Sequence, residues 1–224
     1  MNSGVEVFAL VEGKTERIFI KNLLAPYFAK QNIFLVPTLL SKPGEKGGDV
    51  RFVRARRDIG DHLKQRQDTY ITMMVDYYRI DKDWPGFDKS KLQPTPSQKA
   101  EVINYETAKK VQELYSEQNK NYRFIPYVSM HEIEALYFSD PVNLARIMNV
   151  KQTDIESILR KCGEPEAIND NEYTAPSKRL ESLSQKFRKT STGIKIAETI
   201  GIERMRKQCP IFNNWICKIE DLKR

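Results

Sequence analysis

The sequence predicts an α/β protein, with a mainly parallel sheet flanked by helices and an α-helical C-terminal part. Up to about residue 140, short apolar runs rich in β-branched and aromatic residues alternate with helical patterns, which is typical of strand–helix–strand units. After Asp140-Pro141 such runs almost disappear and the pattern is helical. We therefore expect an α/β core over residues 1–140 and a helical region over 141–224 that packs on it.

Composition restricts the function classes. The chain has 224 residues, of which 40% are hydrophobic and 30% charged, as in a folded globular protein. Its net charge of +7 favours a polyanionic partner such as nucleic acid. Three cysteines without a CxxC spacing indicate reduced thiols. There is no leader-like N-terminus and no apolar run of about 20 residues, so we expect a cytoplasmic protein without a membrane span.

The first strand is predicted over residues 5–11, a run that only Glu6 interrupts. Gly13 makes the turn, and a helix follows from about Thr15 until Pro26 kinks or ends it. A second strand begins at Phe34. Residues 42–49 form a glycine- and charge-rich loop that lacks the GK[ST] ending of a phosphate-binding loop.

The second half of the core repeats this alternation. We expect a helix over about 50–66, a strand over 70–76, a helix near 97–118 and a strand over 122–128. In the tail, apolar residues near the C-terminus are expected to dock the helical region onto the core; they are Phe212, Trp215 and Ile216.

Carboxylates follow the predicted strands at three places. The groups are Glu12 with Glu16, Asp76 with Asp81 and Asp83, and Glu132 with Glu134. The C-terminal ends of parallel strands lie at one edge of a sheet, so these acids are expected to converge. Converging carboxylates repel one another unless a hard cation lies among them, and Mg²⁺ or Mn²⁺ prefers oxygen ligands. The pattern predicts a metal site suited to phosphoryl transfer or hydrolysis.

Lys14, His131 and the pair Glu132 and Glu134 each have two interpretations. Lys14 either contacts a phosphate at the helix start or is an exposed turn lysine. His131 is either a ligand, a general base or a group that orients a ligand, or else a histidine bonded to the backbone at a helix start. Glu132 and Glu134 are two residues apart, so only one enters the site unless the junction is still extended.

The helix predicted over about 50–66 carries an excess of basic residues. It is either a phosphate-contacting face or an ordinary solvated amphipathic helix. The candidate nucleic-acid-binding residues are Arg51, Arg54, Arg57 and Lys64.

Three segments resemble the DUF4276 family, which belongs to the Toprim group. They are VEGKTE at 11–16, MMVDYYRID at 73–81 and FIPYVSMHEIEALYFSD at 124–140, and tail pieces around Ala175–Leu180 and 206–215 are also similar. The resemblance covers nearly the whole chain. It implies a Toprim-like fold, in which the first-strand glutamate, matched here by Glu12, does acid/base work or contacts metal.

The sequence departs from the group's DxD metal pair. In a DxD pair the second acid lies two residues after the first, and the residue two positions after Asp76 is Tyr78. The next acid, Asp81, lies five residues after Asp76. Glu132 or Glu134 is the candidate for the missing ligand. The set of expected metal-facing residues is therefore Glu12, Asp76 and one of these two glutamates, with Glu16 and Asp81 in reserve. Candidate catalytic residues are Glu12, Lys14 and His131.

The resemblance implies a Mg²⁺- or Mn²⁺-dependent nuclease acting on nucleic acid, with DNA favoured over RNA and the choice between them left open. It also implies, by analogy, a partner ATPase and a role in prokaryotic defence against phage or mobile elements. A homodimer is left open. The alternative is a catalytically inactive Toprim-like scaffold that binds an ATPase or nucleic acid, and a third hypothesis is a nucleotide-directed synthetic activity, as in primases.

Overall fold

The computed structural model describes residues 4–41, 50–168 and 173–223, so the loop expected over 42–49 lies outside the described residues. The α/β fold is confirmed and agrees with the Toprim-like architecture. The described residues form a four-stranded, fully parallel sheet in the order β2-β1-β3-β4. Its strands are β1 (Val5–Val11), β2 (Ile33–Leu39), β3 (Tyr70–Asp76) and β4 (Phe124–Ser129).

Helices connect the strands. The first connection consists of α1 (Lys14–Phe19), a π-helical turn (Ile20–Leu24) and α2 (Ala25–Ala29). The π turn directly precedes Pro26, which has no N–H to continue an α-helical ladder, so the helix widens instead of ending. The later connections contain α3 (Phe52–Gln65), α4 (Phe87–Lys91) and α5 (Pro96–Leu114).

The C-terminal part is helical, as predicted. After β4 and a 3₁₀ segment (Ile133–Ser139), its helices are α6 (Pro141–Met148), α7 (Gln152–Cys162), α8 (Pro176–Leu183), α9 (Ile194–Ile200), α10 (Ile202–Gln208) and α11 (Pro210–Glu220). A second π-helical turn, Lys189–Gly193, leads into α9. Within the described ranges, no helix combines the length and apolarity needed to cross a membrane.

Helices α1 and α11 cover one face of the sheet. Trp215 of α11 stacks on Tyr127 of β4 with ring centroids 4.4 Å apart. Phe212 meets Phe19 of α1 at 6.3 Å between ring centroids. The fully buried aromatic groups exclude water between sheet and tail, so the helical region forms part of the same hydrophobic core.

Helices α3 and α5 lie on the opposite face. His62 of α3 stacks on Phe8 of β1 with 4.7 Å between ring centroids. Trp84 joins the two helices: its ring packs edge-on against Phe52, and its Nε1–H donates to Thr107 Oγ1 at 2.9 Å. The indole is therefore buried with its polar group satisfied.

The order of the strands creates a crevice. The chain leaves β1 toward β2 on one side and returns to β3 on the other. In open parallel sheets, ligands bind outside the C-terminal ends of the strands where this direction changes. Val11 is in register with Met74, so Glu12 directly follows β1 close to Asp76, the last residue of β3.

Both edge strands carry a proline that faces outward. Leu40 donates its N–H to β1, and because backbone groups alternate sides along a strand, Pro37 lies on the free side of β2. Arg123 accepts a bond from β3, so Pro126 lies on the free side of β4 by the same alternation. Neither proline interrupts the sheet, since each lacks an N–H only where no strand is paired.

Candidate functional site

Asp76 is a buried carboxylate at the crevice. It is 8% exposed, and no described residue donates a hydrogen bond to its Oδ1. Burial raises the pKa of Asp76 well above its ordinary value, and the nearby carboxylates Glu16, Glu12, Glu134 and Glu132 raise it further. The three acidic strand ends therefore converge electrostatically on this side chain.

Glu12 and Glu16 approach from the end of β1. The Glu12 side chain is 11% exposed and its Oε1 lies 3.7 Å from a guanidinium nitrogen of Arg79. Glu16, in the first turn of α1, folds back over Gly13. A methyl group at position 13 would come within 2.8 Å of Glu16 Oε2, so the glycine leaves room for that carboxylate.

Glu132 is held by the helical region. It accepts the Ser177 backbone N–H at 2.9 Å and the Ser177 hydroxyl at 3.0 Å. The Lys189 ammonium donates to Glu132 Oε1 at 2.9 Å. Burial alone would raise the pKa of Glu132, but Lys189 and Ser177 together lower it. Glu132 is therefore ionised and fully engaged.

Glu134 contacts the same ammonium. Its Oε1 lies 3.3 Å from Lys189 Nζ, and the residue is 2% exposed. Burial raises the pKa of Glu134 to about 7, although Lys189 acts in the opposite direction. Both glutamates reach Lys189 because Glu132 is still extended, with φ −140° and ψ 157°, and helical geometry starts after it. The junction is thus still extended, which is the condition under which both glutamates were expected to enter the site.

Tyr137 adds a neutral hydroxyl to this group. It is fully buried, and within the described ranges its hydroxyl has no hydrogen-bond partner. Burial raises the pKa of Tyr137 well above its ordinary value, and Glu134, Glu16 and Glu132 add to the effect. The phenol therefore stays protonated beside the carboxylates.

His131 lies directly before these glutamates and is buried. Its backbone has φ 72°, in the left-handed region that non-glycine residues seldom adopt. Such strain is held only where surrounding structure fixes it, and it concentrates at functional sites. The residue belongs to an irregular strand-to-3₁₀ junction rather than to the start of an α-helix.

Asp81 and Asp83 bind groups at the start of α3. Asp81 pairs with Arg51 at 3.1 Å. Asp83 accepts the backbone N–H groups of Phe52 and Val53 at 3.0 and 3.2 Å. These bonds satisfy N–H groups at a helix start. Asp81 is thus engaged outside the group around Asp76, and its metal role remains a prediction without structural support.

The remaining predicted residues are at the surface. Lys14 is exposed at the first position of α1. On α3, Arg57 and Lys64 are exposed, Arg54 is partly exposed, and Arg51 is exposed while paired with Asp81. Their roles toward phosphate are untested.

The carboxylates converge without forming a ready metal cage. In residues 4–41, 50–168 and 173–223, no three or more His, Cys, Asp and Glu side chains are grouped closely enough to hold a metal ion as they stand. Lys189 instead provides a cation at Glu132 and Glu134. We call Glu12, Glu16, Asp76, Glu132 and Glu134, together with Lys189, the acid–lysine cluster.

Lys189 and Tyr137 were missed by the sequence reasoning. Lys189 is one of 37 Lys and Arg residues and lies in a polar stretch, so no local pattern distinguishes it. Tyr137 belongs to the HEIEALYFSD segment, three residues after Glu134. That spacing places it near Glu134 on any helical turn, and this signal could have identified it.

The comparisons with known proteins gave one match. A family model described as "Domain of unknown function (DUF4276)" matches residues 11–220. No curated protein and no solved structure matches the chain. The matched range includes every member of the acid–lysine cluster.

Proposed function

The chain belongs to the DUF4276 family, and we propose that it is a nuclease that hydrolyses phosphodiester bonds in nucleic acid with a bound Mg²⁺ or Mn²⁺ ion. One observation carries the proposal. Asp76 is a buried carboxylate with an unsatisfied oxygen, surrounded by further carboxylates at the point where the direction of strand order changes. Unpaired buried charge is costly, and a cation would relieve that cost.

The residues around Asp76 fit a hard divalent ion. Their donors are carboxylate oxygens, which Mg²⁺ and Mn²⁺ prefer. Asp76, Glu12 and Glu16 would hold the ion, with Glu134 as the candidate from β4. When bound, such an ion neutralises phosphate charge and activates water.

The protein's own groups then have distinct tasks. The Glu12 carboxylate accepts the proton of the attacking water, while Arg79, 3.7 Å from Oε1, keeps it oriented. Gly13, which has no side chain, leaves room for the Glu16 carboxylate at the end of β1. His131 sits at the strained junction and orients the segment that carries Glu132 and Glu134.

The substrate would lie across α3. The loop after Asp76 contains Asp83, which accepts hydrogen bonds from the backbone N–H groups of the first turn of α3. Helix α3 therefore starts close to the crevice. Its basic residues Arg54, Arg57 and Lys64 would contact phosphates without reading sequence. We propose DNA as the substrate, a cytoplasmic location, and a role with a partner ATPase in prokaryotic defence against phage or mobile elements.

A specific observation favours a second function. Lys189 already neutralises part of the cluster, as expected if the site needs no metal. The protein would then be a catalytically inactive scaffold that binds an ATPase or nucleic acid.

Cleavage assays separate these functions. Supercoiled and single-stranded DNA should be incubated with Mg²⁺ or Mn²⁺ and wild type, Glu12→Gln or Asp76→Asn. Both variants should lose cleavage by at least about 100-fold, the order expected for an essential acid or base. Glu101→Gln, at an exposed position of α5, is the control. If both site variants cleave like wild type, the assignment is wrong; if wild type neither cleaves nor binds metal, the scaffold is favoured.

A further inference from the structure

Lys189 bridges two buried glutamates. Its ammonium lies 2.9 Å from Glu132 Oε1 and 3.3 Å from Glu134 Oε1, although its side chain is 36% exposed. The ammonium of Lys189 therefore lies inside the cluster, in contact with both carboxylates.

The segment that carries Lys189 is fixed on both sides. Phe187 is 2% exposed, so the chain is anchored in the core just before the lysine. At the other end of the π turn, a methyl group on Gly193 would lie 3.2 Å from the Tyr137 ring, and the two segments are in close contact there. π-Helical turns are rare and concentrate at functional sites. The ammonium is thus placed by packed backbone rather than by a free surface arm.

The cluster has two unequal halves. On the β4 side, Lys189 donates a hydrogen bond to Glu132 and lies 3.3 Å from Glu134 Oε1, which accepts no hydrogen bond from a described residue. On the side of β1 and β3, Asp76 Oδ1 has no donor among the described residues. Glu132 and Glu134, which Lys189 contacts, also act on Asp76. The ammonium and any ion at Asp76 would therefore share one electrostatic field.

Many hydrolytic phosphate sites contain two metal ions about 3.5–4 Å apart. We propose that the Lys189 ammonium permanently occupies the second cation position of the cluster, so that the protein binds one divalent ion and not two. This inference rests on the proposed function, because it assumes that the first position takes a metal. Lys189 is then a positioning residue that sets metal stoichiometry.

The test is a Mn²⁺ titration of the full chain by calorimetry, with bound Mn²⁺ counted independently by electron paramagnetic resonance. Wild type should bind one ion per chain and Lys189→Met two. Lys189→Arg keeps the charge and should bind one. Lys195→Met, which removes an exposed lysine of α9, is the matched control and should also bind one.

Lys189→Met leaves two buried glutamates without a counter-ion, so its thermal unfolding should be followed with and without Mn²⁺. Mn²⁺ should raise its melting temperature more than that of wild type. Two ions in wild type, or no gain of an ion in a folded Lys189→Met, overturn the proposal, as does a Lys189→Met variant that Mn²⁺ fails to stabilise.

The proposed function and the proposed role of Lys189 can fail independently of each other. If wild type binds no ion while Lys189→Met gains one, the metal-dependent nuclease is wrong for this chain, but the lysine does occupy a cation position. If wild type binds one ion and Lys189→Met also binds one, metal dependence stands and only the role of Lys189 is overturned.

Discussion

Trp215 donates its indole N–H to Thr72 Oγ1 over 2.7 Å, which ties the last helix to the middle of β3. The indole is 2% exposed and stacks on Tyr127. Trp215→Ala should lower the free energy of unfolding by about 3–5 kcal/mol through lost contacts and a cavity. Trp215→Phe keeps much of the packing and should cost about 1–2 kcal/mol, mostly the hydrogen bond. Urea unfolding measures both. Equal costs would contradict the packing contribution of the indole, and no loss of stability in Trp215→Phe would contradict the contribution of the hydrogen bond.

Asp76→Asn should stabilise the metal-free protein at high pH. The pKa of Asp76 is raised above its ordinary 3.8 by burial and by neighbouring carboxylates. Wild type therefore loses stability as the pH rises from about 4 through the raised pKa, because folding then opposes ionisation. The neutral amide avoids this loss, so the advantage of Asp76→Asn should grow with pH.

Melting temperatures in chelator between pH 5 and pH 9 measure this trend. Adding Mn²⁺ should raise the melting temperature of wild type and leave Asp76→Asn unchanged. A pH-independent difference between the two proteins would show that Asp76 is not electrostatically destabilised.

His131 permits its backbone and its imidazole to be tested separately. At φ 72°, Gly and Asn are tolerated, whereas Ala costs about 1–2 kcal/mol. We expect His131→Asn and His131→Gly to remain nearer to wild-type stability than His131→Ala in chemical unfolding. If cleavage falls in all three variants, the imidazole contributes to function; if it falls only in His131→Ala, the backbone does.

Glu166 should make stability depend on pH outside the site. This buried carboxylate accepts the N–H groups of Ile211 and Phe212, both at 2.8 Å, at the start of α11. Burial raises its pKa from 4.5 to about 7. The stability linked to its proton is full below pH 4.5 and is lost as the pH rises through about 7.

Glu166→Gln removes this proton and should flatten the pH dependence by on the order of 2–3 kcal/mol between pH 4.5 and 8. The measurement is the free energy of unfolding in urea across that range, compared with wild type. Parallel curves for the two proteins would mean that Glu166 is ionised throughout.

Charge reversal on α3 should weaken nucleic-acid binding in a salt-dependent way. Arg54→Glu with Arg57→Glu should lower the affinity for a short DNA duplex at least about tenfold and reduce the slope of log K against log salt by roughly 1–2. Fluorescence anisotropy at several salt concentrations measures both. The control is Lys195→Glu with Lys161→Glu, which changes the net charge by the same amount at exposed positions of α9 and α7. An equal loss in the control would indicate nonspecific attraction.

Strands β1, β3 and β4 were predictable because they are largely buried on both faces and therefore form nearly continuous apolar runs, whereas the edge strand β2 exposes Phe34 and Val36. The convergence at Glu12 and Asp76 was predictable for the same reason, since parallel strands must end at one edge. Asp81 could not be assigned from spacing alone, because a loop carboxylate turns toward whichever partner tertiary packing supplies, and here that partner is Arg51.

The contact between Glu132 and Lys189 was beyond prediction for another reason. The two residues are 57 positions apart, and the contact depends on how the helical tail packs. The tail also supplies Ser177, which lies in the Ala175–Leu180 piece that carries part of the family resemblance. The sequence pattern divides the chain into an α/β core and a helical tail, whereas the acid–lysine cluster contains residues from both.

The outward prolines of the edge strands limit how copies of this chain can associate. Pro37 and Pro126 each remove one donor from a free sheet edge, and the outward N–H of Val128 is already bound by Asn104 at 2.9 Å. A second chain that aligned with either edge would meet a gap in its ladder and a protruding ring. We therefore expect a homodimer to form through helical surfaces rather than by pairing these sheet edges.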